Sequence, residues 1–137
     1  MKNKRPFVMR ITLIAIALGL AQAALAETNP FGPIRVAVNR HQYTGKQCPI
    51  EIIYTGSINF APHPKGFVFN YHWERTDGAK SPVQVVHTNP NQRSLVVHER
   101  WKLGAPGNSY DAGTTLFVNS GNTHLSEPSA VVKVRCI

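Results

Sequence analysis

Residues 66–78 read GFVFNYHWERTDG, and the alternation of side chains within this stretch decides the fold. Every second position of its central part carries an aromatic side chain: Phe67, Phe69, Tyr71 and Trp73. A period of two places these rings on one face of a β-strand and the intervening, mostly polar residues on the other. Turn-type residues bound the stretch at both ends. The pattern therefore predicts a strand that buries one face against a second sheet.

The first 26 residues have the three parts of a secretory signal peptide. A basic start (residues 2–5) precedes an apolar run (residues 11–20), and Ala-Leu-Ala at residues 24–26 forms a small-residue cleavage site. The apolar run is too short to span a bilayer. We therefore expect a periplasmic or secreted protein with no transmembrane segment in its mature chain. The Ala-x-Ala site and the absence of an Asn-x-Ser/Thr sequon favour a bacterial envelope.

Residues 27–137 are long enough for one domain with one core. Four of the 15 Lys and Arg residues lie in the predicted signal peptide and none of the seven acids does, so 11 cations face 7 acids and the formal charge is +4. A charge of this size biases a protein toward anionic surfaces but falls short of a nucleic-acid-binding composition.

Period-two patterns predict seven strands and no helix in the domain, which we place at residues 34–137 after a flexible lead-in at residues 27–33. The predicted strands cover residues 34–38, 48–60, 67–75, 83–88, 94–103, 114–119 and 132–136. Turns or loops are predicted at residues 43–46, 62–66, 104–110 and 120–123. Two antiparallel sheets packed face to face would bury the apolar stripes, so the fold class is an all-β sandwich.

The inward side chains follow from strand parity. Four aromatic side chains are assigned to the core: Phe69, Tyr71, Trp73 and Trp101. In the sixth predicted strand, Leu116 and Val118 are favoured as the inward pair over Thr115 and Phe117. Gly56 offers a place for the second strand to bend. Glu99 falls on an apolar face, which predicts an ion pair with Arg75 or Arg100, or a position at the rim of the sheet.

The two cysteines, Cys48 and Cys136, predict one disulfide. An isolated pair in an oxidising compartment is most simply bonded, and a Cys-x-x-Cys redox spacing is absent. A bond across this sequence separation of 88 would reduce the unfolded-state entropy by the equivalent of about 4 to 5 kcal/mol on the chain-entropy model.

Seven strands in about 105 residues, a Trp on the third and a Cys at the start of the second resemble an immunoglobulin-like sandwich. In that fold the start of the second strand and the end of the last lie at the same end of the molecule, so the resemblance implies that Cys48 and Cys136 are placed to bond. An antibody-type domain instead bonds its second strand to its sixth. The resemblance is therefore one of architecture and implies no recognition through loops.

The chain also resembles small exported bacterial proteins that share four short motifs. The matching segments are Cys48-Pro49, residues 71–78 (YHWERTDG), residues 101–104 (WKLG) and residues 134–136 (VRC). That group has no established activity, so the resemblance implies fold and compartment and nothing catalytic.

No motif indicates catalysis or a cofactor. The chain has no Gly-x-Ser-x-Gly elbow, no phosphate-binding glycine loop and no obvious carboxylate pair for glycoside hydrolysis. None of the six histidines has a local metal-ligand spacing, and we interpret them as solvated surface residues. His72 and His98 are expected to point away from each other on different sheets. We therefore expect no enzyme, no metal and no cofactor.

Three binding functions remain. The leading hypothesis is a non-catalytic module that binds a protein partner in the envelope or outside the cell, through a sheet edge or the loops at residues 62–66 and 104–110. The second is a binder of an anionic glycan or lipid headgroup such as lipopolysaccharide. The third is an inhibitor or immunity-type protein of a secreted enzyme. Candidate contacts for anionic groups are two outward basic pairs: Arg100 with Lys102, and Lys133 with Arg135.

Overall fold

The computed structural model describes residues 29–137, and every helix or strand in this range is a β-strand. Accordingly, these residues contain no helix of the length and apolarity needed to cross a membrane. The predicted signal peptide lies outside the described residues. The strands are β1 (Phe31–Val38), β2 (Gln42–Gly45), β3 (Ile50–Phe60), β4 (Val68–Arg75), β5 (Gln84–His87), β6 (Ser94–Leu103), β7 (Ser109–Ala112), β8 (Thr114–Ser120), β9 (Thr123–Pro128) and β10 (Val132–Cys136).

The strands form two layers. The first is the antiparallel sheet β1-β3-β6, and the second contains the ladders β5-β4-β8-β9 and β2-β10-β7. Only Gly113 separates β7 from β8, and residues 129–131 separate β9 from β10. The Ser129 amide donates to the Thr114 carbonyl at 2.7 Å, which holds the segment between β9 and β10 against the start of β8. The result is an immunoglobulin-like sandwich with one disulfide, as predicted.

The core lies between the layers and follows the predicted alternation. Phe69, Trp73 and Trp101 are buried, whereas Tyr71 is half-buried and packs against the edge of the core. Burial raises the pKa of the Tyr71 phenol. In β8 the favoured assignment is confirmed, since Leu116 is fully buried together with its partner two residues later.

Gly56 has a different role from the predicted bend. The ladders of β3 with β1 and β6 run past it without a register shift. A Cβ at this position would lie 2.7 Å from Leu116 Cδ2, 3.0 Å from Val97 Cγ2 and 3.1 Å from Trp73 Cη2. The glycine therefore leaves room for the Trp73 ring between the layers.

The domain has ten strands rather than the seven predicted: β2, β7 and β9 are additional, and β1 begins earlier than expected. Residues 42–45, expected in a turn, form β2 and pair in parallel with β10. The strands β7 and β9 lie in segments predicted as loop, turn or unassigned chain. β1 begins at Phe31 rather than at residue 34, because the Phe31 ring is buried against an aromatic cluster. The three additional strands are short or mostly polar, so a period-two apolar pattern does not mark them.

The predicted disulfide is present. Cys48 and Cys136 are bonded with a Cα–Cα distance of 6.2 Å, which links the segment before β3 to the end of β10. Gly104 lies directly against the bond, since a Cβ there would lie 2.8 Å from Cys136 Sγ, and its φ is +122°. A side chain at this position would clash with the disulfide, and glycine adopts this positive φ without strain.

Candidate functional site

The candidate site is the free edge of β6 in the first layer. On one side β6 pairs with β3 along its whole length, from Ser94 opposite Asn59 to Leu103 opposite Ile50. On the other side, no strand of residues 29–137 pairs with it. Backbone groups on an unpaired edge are a template for another strand.

The phase of the ladder identifies which residues face the free side. Successive residues of an antiparallel strand direct their N–H and C=O groups alternately toward and away from the partner. The Phe60 amide donates to the Arg93 carbonyl at 2.9 Å, so odd-numbered residues of this segment face β3. The even-numbered residues therefore direct their backbone groups outward from the sheet: Ser94, Val96, His98, Arg100 and Lys102.

Side chains cap both ends of this edge. Gln92 Nε2 donates to the Ser94 carbonyl at 3.1 Å, and Arg75 Nη2 donates to the Arg100 carbonyl at 2.9 Å. Between the caps, no hydrogen bond from the described part of the chain reaches the outward N–H or C=O of Val96 or His98. We call this stretch, residues 95–99, the open edge. Its Val96 side chain is 54% exposed.

An ion pair between the layers closes the edge beyond residue 99. Glu99 points inward, as its parity predicted, and its Oε1 lies 2.7 Å from Arg75 Nη2. The guanidinium also lies over the Trp101 ring, 5.1 Å from its centroid. Arg100, the other predicted partner, pairs with Glu51 instead. Inward charges on an edge discourage strand pairing, so the Arg75 cap limits the open edge to residues 95–99.

A depression of about 310 Å³ lies beside the open edge, between the layers. Its walls are formed by Arg75, Ala79, Lys80, Ser81, Pro82 and Glu99. Lys80 Nζ is held by Glu74 at 2.9 Å. A strand added along the edge would direct every second side chain toward this space.

The two loops predicted to bind a partner are held by internal contacts. His63, in the loop at residues 62–66, has Nε2 2.6 Å from the Gln92 carbonyl and Nδ1 3.2 Å from the Lys65 carbonyl. The loop after β6 is tied to the end of β10, because the Gly107 amide donates to the Cys136 carbonyl. These contacts hold both loops against neighbouring segments, and partner binding by the loops stays a prediction.

The histidines do not all match the prediction of solvated side chains. His63 packs edge-on against Phe60 and Phe67, and His72 stacks on Phe117 with ring centroids 4.9 Å apart. His72 and His98 lie on different layers, as expected. Within residues 29–137, no three His, Cys, Asp or Glu side chains form a group that could hold a metal ion.

The four predicted anion contacts do not form one surface. Arg100 and Lys102 are exposed on β6 of the first layer, whereas Lys133 and Arg135 are exposed on β10 of the second. Arg100 Nη1 is also neutralised by Glu51 Oε1 at 2.7 Å. Strand parity predicted that each pair is outward, but not that the pairs are separated.

Comparisons with known proteins identify no family. No family model matches the chain, and no curated protein matches it. One similar solved structure is the CARDB domain of a Pyrococcus furiosus protein, described as a complex with di-metal ions. It is 15% identical, covers 77% of this chain and 97% of its own, and has a TM-score of 0.46. The fold assignment accordingly rests on the strand order of this chain, and no function is carried over.

Proposed function

We propose that the protein is an exported, non-catalytic binding module of a bacterial envelope that takes up an extended strand of a protein partner at the open edge of β6. The observation that supports it is the pair of residues Val96 and His98, whose outward backbone groups have no partner between two side-chain caps. Strand addition needs no special side chain, because main-chain hydrogen bonds supply affinity. This agrees with the absence of a catalytic motif in the sequence.

The size of the open edge sets the strength of the interaction. Two residues offer two N–H and two C=O groups, and each hydrogen bond contributes about 0.5–1.5 kcal/mol net. Four such bonds amount to about 2–6 kcal/mol, which is less than the roughly 8 kcal/mol of a micromolar complex. The partner must therefore also bury side chains, and the depression next to Arg75 and the exposed Val96 provide the two places.

The test is a crosslinking pull-down from envelope extract with the mature, oxidised protein at low and high salt. Val96→Pro and His98→Pro each remove one outward N–H and leave the pairing with β3 intact, because the odd-numbered residues make that ladder. We expect each variant to lose a saturable protein partner that the wild type recovers at both salts.

Lys102→Pro is the matched control, since it makes the same change on the same strand beyond the Arg75 cap. It should retain the partner, and thermal melting should show that all three variants are folded. Recovery of the partner by Val96→Pro and His98→Pro, or the absence of any saturable protein partner, would refute strand addition. Self-association of the wild type that Val96→Pro abolishes would identify the occupant as a second copy and would also overturn the proposal.

A further inference from the structure

A second candidate site lies on the outer face of the other layer. There β10 runs between β2 and β7, and its outward side chains are Lys133 and Arg135. The register places Arg135 opposite Thr44 on one side and Ser109 on the other. Two short hydroxyl side chains thus flank the guanidinium, which leaves its donors accessible.

Around Lys133, the same face carries an amide and a carboxylate instead of hydroxyl groups. This residue lies opposite Gln42 of β2 and Asp111 of β7. A depression of about 310 Å³, which we call the trough, extends over both ends and is lined by residues 42–44 of β2, 109–111 of β7 and 133–135 of β10. Its volume is at the lower end of the range for small-ligand sites, about 300–1,000 Å³.

The charges of this trough are not satisfied internally. Within residues 29–137, neither Lys133 nor Arg135 is part of an ion pair, whereas Arg75, Lys80 and Arg100 each have a carboxylate partner. The one acid of the trough, Asp111, lies opposite Lys133. The residue opposite Arg135 is Ser109, two positions before Asp111 on β7. The Arg135 end is therefore a free cation with hydroxyl neighbours.

We propose that this trough binds an anionic saccharide, with its carboxylate or phosphate group at Arg135 and a sugar hydroxyl at Asp111. A guanidinium binds such groups through two parallel N–H donors, and the Thr44 and Ser109 hydroxyls can donate to the same oxyanion. An ionised Asp111 only accepts hydrogen bonds, so it selects a ligand that also carries hydroxyl groups. The combination excludes a bare anion as the best ligand.

The trough and the open edge lie on different layers, so occupation of one leaves the other accessible. The two modes also respond differently to salt. Binding at exposed charges weakens as salt rises, because the Debye length falls from about 10 Å at 0.1 M to about 3 Å at 1 M. Main-chain strand addition lacks this dependence, so the response to salt distinguishes the two modes of binding.

The test is an NMR titration of the mature protein with trigalacturonate and with mannose 6-phosphate, which distinguish a carboxylate from a phosphate. Neutral maltotriose and inorganic phosphate are the reference ligands. We expect saturable, salt-sensitive shifts of the Thr44, Ser109 and Arg135 amides with at least one of the anionic sugars and none with maltotriose. Arg135→Gln should weaken this binding at least tenfold, since it removes a charge-assisted hydrogen-bond donor.

Arg35→Gln is the matched control, because Arg35 is also exposed and lies on β1 of the opposite layer. It should leave the affinity unchanged. Asp111→Asn should weaken binding of the anionic sugar less than Arg135→Gln does. Equal losses in the two arginine variants, equal binding of maltotriose, or inorganic phosphate bound as tightly as both sugars would each overturn the proposal.

Discussion

Arg75 of β4 and Glu99 of β6 form an ion pair between the two layers, with Nη2 and Oε1 2.7 Å apart. The same Nη2 atom donates to the Arg100 carbonyl on the edge of β6. One guanidinium therefore neutralises an inward carboxylate and covers an exposed backbone acceptor. This arrangement both joins the layers and marks where the open edge ends.

Loss of Glu99 should destabilise the domain. Its side chain is 12% exposed and that of Arg75 is 26% exposed, so Glu99→Ala leaves a largely buried cation without its carboxylate partner. We expect the free energy of unfolding to fall by about 1–3 kcal/mol in urea denaturation. Glu51→Ala is the control, because it breaks an exposed ion pair: the Glu51 side chain is 36% exposed and that of Arg100 is 65% exposed. It should lower the free energy of unfolding by less than about 1 kcal/mol. Equal losses would contradict the interpretation.

A methyl group at Gly56 should disturb the packing between the layers. Its Cβ would lie within 3.1 Å of atoms in Leu116, Val97 and Trp73, so the rings and methyl groups must shift. Gly56→Ala is expected to lower the free energy of unfolding by about 1–3 kcal/mol and to change the fluorescence of Trp73. Ser57→Ala, at the next position on the outward face, should stay within about 0.5 kcal/mol of the wild type.

Reduction of the disulfide should lower stability strongly. The bond joins two residues with a sequence separation of 88, and for this separation the chain-entropy model gives a stabilisation of about 4 to 5 kcal/mol. We expect the double variant Cys48→Ser/Cys136→Ser to have a correspondingly lower urea midpoint. A reduced wild type should match the double variant, and equal midpoints for the oxidised and reduced proteins would contradict the prediction.

Alkaline pH should destabilise the fold through Tyr54. Its phenol is fully buried and donates to the Ala112 carbonyl at 3.0 Å. Burial raises its pKa to about 12, although the nearby Arg75 cation acts in the opposite direction. A tyrosine in an unfolded chain titrates at about pH 10. Between about pH 10 and 12, Tyr54 therefore releases its proton in the unfolded chain and keeps it in the folded one.

The stability that Tyr54 contributes is therefore fully present below about pH 10 and is lost as the pH rises toward 12, by about 2–3 kcal/mol. The measurement is urea denaturation of the wild type and of Tyr54→Phe across this range. The variant should start about 1 kcal/mol less stable, because it lacks the hydrogen bond, and should decline less steeply with pH. Parallel pH profiles would show that Tyr54 does not cause the decline.

Much of the core could be predicted because its signal is local. The alternation around Trp73, the choice of Leu116 over Phe117 as an inward residue, and the inward carboxylate of Glu99 each depend only on strand parity. The disulfide could be predicted from an isolated cysteine pair and an expected oxidising compartment. These patterns predicted the fold class and seven of the ten strands.

Other features became visible only when distant segments came together. β2 has four residues with little apolar character, and it is a strand because β10, far along the chain, pairs with it. Parity assigned Lys133 and Arg100 to outward faces, but the strand order decided that these faces belong to opposite layers. The sequence by itself determined which side chains enter the core, because parity acts between neighbouring residues. Only the tertiary structure decided which edge stays open at Val96 and which cations share a trough, since both depend on the partner of each strand.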